Sequence, residues 1–136
     1  MTDNATETLS VVVEREIPYP PEKIWRALTQ PQLIEQWLMK NDFQPAVGHT
    51  FNFRAEWGAV DCRVEAVEPN KTLSYTWAAY GLESIVVWTL IPTAAGTLLR
   101  MEQSGFRPDQ QQAYQGAKFG WQKFFAGLER VVGGLS

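Results

Sequence analysis

The sequence of 136 residues has little of what catalytic and metal sites usually require. It contains one cysteine, Cys62, and one histidine, His49. A single cysteine excludes an internal disulfide and fits a reducing compartment. Zinc-type sites need several Cys or His ligands. Phosphate-binding glycine loops, zinc-protease motifs and nucleophile-elbow motifs do not occur. We therefore expect no metal site, no cofactor and no recognisable catalytic group.

Long apolar runs and clusters of basic residues are also missing. No apolar stretch approaches the roughly 18 residues needed to span a bilayer. The polar residues 1–9 do not resemble a signal peptide, and we predict that they are disordered. The net charge of -3, without a basic run, argues against nucleic acid as a partner. These observations predict a cytoplasmic protein with no membrane span.

Aromatic residues, by contrast, are abundant. The chain has six Trp, seven Phe and four Tyr. Such large, rigid side chains are used in cores, and they also line ligand cavities and interfaces. The length fits one domain, residues 1–136, that can bury a substantial core. The composition thus raises the expectation of an apolar pocket without proving one.

The spacing of apolar residues predicts an α+β order of elements. It comprises a strand over residues 9–17, a helix starting at Pro20 or Pro21, a second helix over 32–38, five strands between Thr50 and Phe106, and a long helix ending near Val132. In the strands, apolar residues alternate with polar ones, so one face is apolar. The long helix carries an aromatic stripe at three-and-four spacing that something large must cover. The strands are the only candidate.

A curved sheet wrapped on one long helix can enclose an apolar cavity. We predict that its lining consists of Phe51, Phe53, Val64, Tyr75, Trp77, Val86, Trp88, Met101 and Gln103 from the sheet, with Tyr114, Ala117, Trp121 and Phe124 from the helix. Gln103 is the polar exception on an apolar strand face. It either binds a ligand by hydrogen bonds or, at about twice the weight, makes a structural bond within the protein. His49 and Cys62 are interpreted as an ordinary loop histidine and a buried apolar-like thiol.

Several sequence segments resemble those of one known family. They are Pro20–Pro31 with Trp37, Val67–Pro69 with Leu73–Trp77, Trp88–Pro92 with Gly96 and Thr97, Gln103–Phe106, and Gly120 with Trp121. On these residues the chain resembles the Activator of Hsp90 ATPase homologue 1-like family, within the START/Bet v 1-like superfamily. The resemblance implies a helix-grip fold: a curved six-stranded antiparallel sheet, two short helices, and a long C-terminal helix over an apolar cavity. Family members often have His where this chain has Gln103, so His-dependent chemistry is not carried over.

Three functional hypotheses follow. The first is a non-enzymatic protein that binds a small hydrophobic or aromatic molecule between helix and sheet. The second is a protein-interaction module that contacts a chaperone or forms a homodimer, for which the outward-facing Val87 and Ile91 give the best support. The third is a cyclase- or dehydratase-type enzyme, which would require an ionisable group inside the cavity.

Overall fold

The computed structural model describes residues 8–135. In chain order the elements are β1 (Leu9–Ile17), α1 (Pro21–Thr29), α2 (Pro31–Trp37), β2 (Lys40–Asn41), β3 (Thr50–Ala55), β4 (Gly58–Glu68), β5 (Thr72–Ala79), β6 (Leu82–Pro92), β7 (Thr97–Phe106) and α3 (Gln111–Gly133). The expected disordered segment, residues 1–9, falls mostly outside the described residues. Within the description, Leu9 is already the first residue of β1.

All strands of the described chain form one antiparallel sheet in the order β1-β7-β6-β5-β4-β3-β2. The expectation of six strands was wrong, because the sheet has seven. The additional strand, β2, consists only of Lys40 and Asn41, which pair with Arg54 and Phe53 of β3. Two residues are too short to show a period-two pattern, so nothing in the sequence marks this strand.

Proline residues define the two short helices. Pro21 occupies the first helical position of α1 and Pro31 that of α2, where a missing N–H costs nothing. The helices are tied together by the Trp37 indole, whose Nε1 donates to the Ala27 carbonyl at 2.8 Å. They thereby form a small platform next to the long helix.

The sheet has an inner face, turned toward α3, and an outer face. Residues alternate between these faces as predicted: Val86, Trp88 and Leu90 of β6 are buried, whereas Ile85 and Ile91 are exposed. α3 lies against β1, α1 and α2, and its buried side chains are Trp121, Phe125, Leu128 and Val132. The fold is thus α+β, with the long helix held against a curved antiparallel sheet as in a helix grip.

Candidate functional site

A cluster of aromatic rings fills the space between α3 and the inner face of the sheet. Trp88 of β6 lies at its centre, with ring centroids 5.7 Å from Trp121 and 5.6 Å from Phe125. Trp121 also contacts Trp77 of β5 at 5.5 Å. The Trp88–Trp121 pair is edge-on, which is a favoured geometry for aromatic rings, and the other two pairs are tilted. Rings in mutual contact form a packed interior.

The predicted lining residues come together in this interior. Nine of them are buried: Phe51, Phe53, Val64, Tyr75, Val86, Trp88, Met101, Gln103 and Trp121. Four are half-buried and pack against the core: Trp77, Tyr114, Ala117 and Phe124. All thirteen side chains are thus buried or half-buried. Their role in binding a ligand stays a prediction.

The polar atoms of this interior are joined in a chain. The Trp121 indole Nε1 donates to Gln103 Oε1 at 2.7 Å, and Gln103 Nε2 donates to Ser84 Oγ at 2.9 Å. Ser84 Oγ in turn donates to the Trp77 carbonyl at 2.9 Å. Both polar atoms of the Gln103 amide thus have protein partners, as expected for a structural role. A ligand that bonded to Gln103 would have to share or replace one of these bonds.

In a second buried hydrogen bond, the indole Nε1 of Trp88 donates to the Tyr75 hydroxyl at 3.0 Å. Burial raises the pKa of the Tyr75 phenol well above its ordinary value, and the bond from Trp88 opposes this only partly. Across residues 8–135, no buried side-chain nitrogen or oxygen lacks a hydrogen-bond partner. The interior therefore has no unpaired polar atom that would attract a polar ligand.

The two residues considered for chemistry are Cys62, in the interior, and His49, at the surface. Cys62 is buried on β4, and burial raises the pKa of its thiol far above the ordinary value, with Asp61 and Asp42 adding to the effect. The thiol is therefore neutral at physiological pH. His49 lies at the surface, where its Nε2 is 3.0 Å from the Asp42 carbonyl. Among residues 8–135, no group of His, Cys, Asp and Glu is arranged to hold a metal ion.

The buried polar residues in the described part of the chain are all uncharged: Thr29, Ser74, Ser84, Thr97 and Gln103. An acid–base reaction inside the grip would need an ionisable group there. The two that the interior offers, Tyr75 and Cys62, both have raised pKa values. Both groups are therefore neutral at physiological pH.

The grip is more open at one end. The turn between β5 and β6, at Tyr80 and Gly81, meets the start of α3 there, because Gln110 Nε2 donates to the Gly81 carbonyl at 3.2 Å. The same turn meets the β3–β4 turn, where the Tyr80 hydroxyl donates to the Trp57 carbonyl at 2.6 Å. None of the α3 residues 111–120 is buried, and on the sheet below them Ala79 and Leu82 are only half-buried.

Several residues of this interior escaped the sequence-based cavity prediction. Phe43 lies in the segment between β2 and β3, yet it is buried, with its ring centroid 5.1 Å from Phe51. A single aromatic residue in a loop is not part of a periodic apolar pattern, so the sequence contains no indication that Phe43 is buried. Ser84 shares the inward parity of Val86 and Trp88, and that parity could have identified it as the partner of Gln103.

The comparisons with known proteins agree with this geometry. Residues 18–133 match the sequence profile of the family described as Activator of Hsp90 ATPase homolog 1-like protein. The chain belongs to this family. A solved structure of a protein from Mesorhizobium loti is 63% identical, with a TM-score of 0.91 and coverage of 94% of this chain and 99% of that one. Comparison with curated proteins gives no match.

More distant solved structures share the fold. DynU16, a protein of the dynemicin biosynthetic locus, is 28% identical with a TM-score of 0.82, over 92% of this chain and 47% of that one. CalU16 from Micromonospora echinospora is 24% identical with a TM-score of 0.80, over 97% of this chain and 81% of that one. Within residues 8–135, no helix is long and apolar enough to cross a membrane.

Proposed function

We propose that this protein binds a small hydrophobic or aromatic molecule at the open end of the grip, between α3 and the inner face of the sheet. One observation carries the proposal: apolar side chains remain half-exposed on both sides of that opening. On the helix they are Tyr114, Ala117 and Phe124, and on the sheet Trp77, Ala79 and Leu82. Apolar surface that stays in contact with water can gain free energy when a ligand covers it.

The aromatic rings at the opening continue into the core. Phe124 contacts Trp121 at 5.4 Å, Trp121 contacts Trp77 at 5.5 Å, and Trp77 contacts Phe53 at 5.4 Å. Because Trp77 and Phe124 are the half-exposed members of this series, a ligand ring would stack on them first. Deeper insertion would require Trp121 to move from its bond with Gln103. The proposal therefore favours compact aromatic ligands over long chains.

The charge around the opening decides which ligands are excluded. Among the described residues, the cation that reaches α3 from the inner sheet face is Arg15, which already pairs with Glu129 at 2.7 Å. Lys118 of α3 is directed over the Tyr114 ring, with Nζ 5.4 Å from its centroid. Burying a multiply charged phosphate without a compensating cation is costly. We accordingly expect flavone to raise the melting temperature and ATP to leave it unchanged. Laurate should produce a shift between these two.

The decisive experiment obstructs the opening with one side chain. Ala117→Leu adds apolar bulk where α3 faces the sheet, whereas the matched control Ala113→Leu adds it at an exposed position of the same helix. We expect at least a tenfold loss of flavone affinity, about 1.4 kcal/mol, in Ala117→Leu and little change in the control. Equal affinities in both variants, or stabilisation by ATP alone, would contradict the proposal.

A second candidate function, the interaction module, rests on exposed apolar residues of the outer sheet face. Ile91 is 44% and Val12 46% exposed, and Val87 is half-buried. These are modest patches, because charged residues such as Glu14 and Arg100 lie among them and pair at 3.2 Å. Light scattering at increasing protein concentration, with Ile91→Lys as the comparison, tests this candidate. A dimer lost in that variant would favour it.

A further inference from the structure

A pocket of about 430 Å³ lies on the outer face of the sheet, opposite the grip. Its lining includes Thr76, Ala78, Glu83, Ile85, Ser104 and Gly105. Three of the lining residues, Ala78, Ser104 and Gly105, have small side chains or none. Gly105, at φ 114°, has no side chain, and a Cβ at this position would lie 2.7 Å from the Glu83 carbonyl oxygen. The close approach of β7 to β6 at this glycine therefore shapes the pocket.

Strand register places two carboxylates beside this pocket. Ala78 of β5 pairs with Glu83 of β6 on one side and with Asp61 of β4 on the other. Paired residues in neighbouring strands point to the same face. The three side chains therefore form one row, in which the small methyl group of Ala78 leaves a gap between two carboxylates.

Neither carboxylate is neutralised by the described part of the chain. The side-chain carboxylates of Glu83 and Asp61 make no hydrogen bond or ion pair within residues 8–135. Arg63, the basic residue nearest to Asp61 along β4, makes its ion pair with Glu65, at 4.0 Å, and its backbone N–H donates to Thr76 Oγ1 at 2.8 Å. Among the described residues that line the pocket, Glu83 alone is charged, so this part of the pocket is complementary to a cation.

We propose that this outer pocket binds a small organic cation, namely a primary amine with a short apolar body. Ile85 and Ala78 supply an apolar floor, and Ile85 is 42% exposed and thus available for contact. The ammonium group would lie between Glu83 and Asp61, and the hydroxyl of Ser104 would accept one of its hydrogen bonds. The volume falls in the range of small-molecule sites. This site is separate from the opening of the grip and does not depend on it.

The test is an NMR titration of the ¹⁵N-labelled protein with three probes that share one ring and differ in charge. They are 2-phenylethylamine hydrochloride, 2-phenylethanol and 3-phenylpropionate. We expect the amine to shift the backbone amides of Ala78, Glu83 and Ser104 saturably, with at least fivefold higher affinity than the alcohol. The carboxylate should not bind there, because it would face Glu83. Added salt should lower the affinity of the amine, because the carboxylates that would contact it are exposed to solvent.

Variants separate a charge-dependent site from surface adsorption. Glu83→Gln keeps the shape and removes the charge, and it should lower amine affinity at least fivefold. Glu16→Gln, an exposed carboxylate at the far end of the same face, is the matched control and should have no effect. Ala78→Met fills the gap and should abolish the shifts in a protein that still gives a folded spectrum.

Three outcomes would overturn the proposal. They are equal affinity for amine and alcohol, an unchanged affinity in Glu83→Gln, and shifts confined to the Trp77 and Trp121 indoles. The last would place the amine in the grip instead. Loss of flavone binding in Ala117→Leu leaves the outer pocket intact, so failure of one proposal is distinguishable from failure of the other.

Discussion

The two parts of α3 differ sharply in how they are held. Residues 121–133 contribute four buried side chains, and Phe125, Leu128 and Val132 are fully covered by the core. Residues 111–120 contribute none, and Phe119 is 68% exposed. The helix is continuous, so the difference comes from its surroundings. The C-terminal part faces β1 and the two short helices, whereas the N-terminal part faces the opening of the grip.

This difference indicates which part of α3 stabilises the fold and which part is suited to contact a ligand. Because its side chains are buried and tightly packed, the C-terminal part of the helix contributes more to the free energy of unfolding than the N-terminal part does. Regions with few buried apolar contacts open locally at low cost, and binding sites are often drawn from them. The proposed ligand site lies next to the part of α3 that has no buried side chain.

The largest expected effect comes from truncating the same residue type in each part. Phe125→Ala removes a fully buried ring and should lower the free energy of unfolding by about 3–5 kcal/mol. Phe119→Ala removes a ring at the surface and should change it by less than about 0.5 kcal/mol. Urea denaturation measures both. Similar losses in the two variants would remove the distinction between the parts.

The next effect concerns the polar chain below Trp121. Gln103→Leu leaves the buried indole N–H without its acceptor and should lower the free energy of unfolding by roughly 1–3 kcal/mol. Gln115→Leu, at an exposed position in residues 111–120, should be nearly neutral. The indole proton resonance of Trp121 should move only in the first variant. If Gln103→Leu were neutral, the chain would be unimportant for stability.

A smaller effect distinguishes two helical glycines. Alanine favours a helix over glycine by about 1 kcal/mol. Gly116 has open space around it, so Gly116→Ala should raise the melting temperature. At Gly127 a new Cβ would lie 3.3 Å from the Trp37 Cβ, and this crowding should cancel much of the gain. Thermal unfolding of both variants gives the comparison, and a larger gain at Gly127 would contradict it.

The smallest expected effect is that of the ion pair between β1 and the C-terminal part of α3. Arg15 Nη1 lies 2.7 Å from Glu129 Oε2, with both side chains about one-third exposed. Glu129→Gln should lower the free energy of unfolding by less than about 1 kcal/mol. Salt should reduce the difference, because it screens exposed charges. Denaturation at low and high salt tests this, and a loss of several kcal/mol would show that the pair is central.

The fold was largely readable from sequence because its elements have strong periods. The alternation through β6 and β7 and the helical stripe from Tyr114 to Val132 each predicted the correct buried face. Pro21 marked the start of α1, and the second helix, expected over 32–38, begins one residue earlier at Pro31. The two-residue strand β2 was missed, because its pairing with β3 arises from tertiary position and not from a local pattern.

The candidate site was only partly readable. The alternation of residues along the strands placed Trp88 and Gln103 in the interior. It could not show whether these side chains would line an empty cavity or contact other side chains. Three-dimensional packing decided that Trp88 meets Trp121 and Phe125 and that Gln103 bonds to Ser84. The outer pocket was likewise invisible in the sequence, because it depends on the register of β4, β5 and β6.

The amino-acid sequence by itself determined which side chains avoid water, because hydrophobic periodicity is a local property of the chain. It also placed one charged residue, Arg15 of β1, on the inner face with apolar residues of that strand. Only the tertiary structure decided which aromatic rings contact one another and which part of α3 has no buried side chain. It also decided that two unpaired carboxylates lie beside a pocket. Each of these depends on residues distant in the chain, such as Gln103 and Trp121 or Asp61 and Glu83, and their distances follow from packing and strand register.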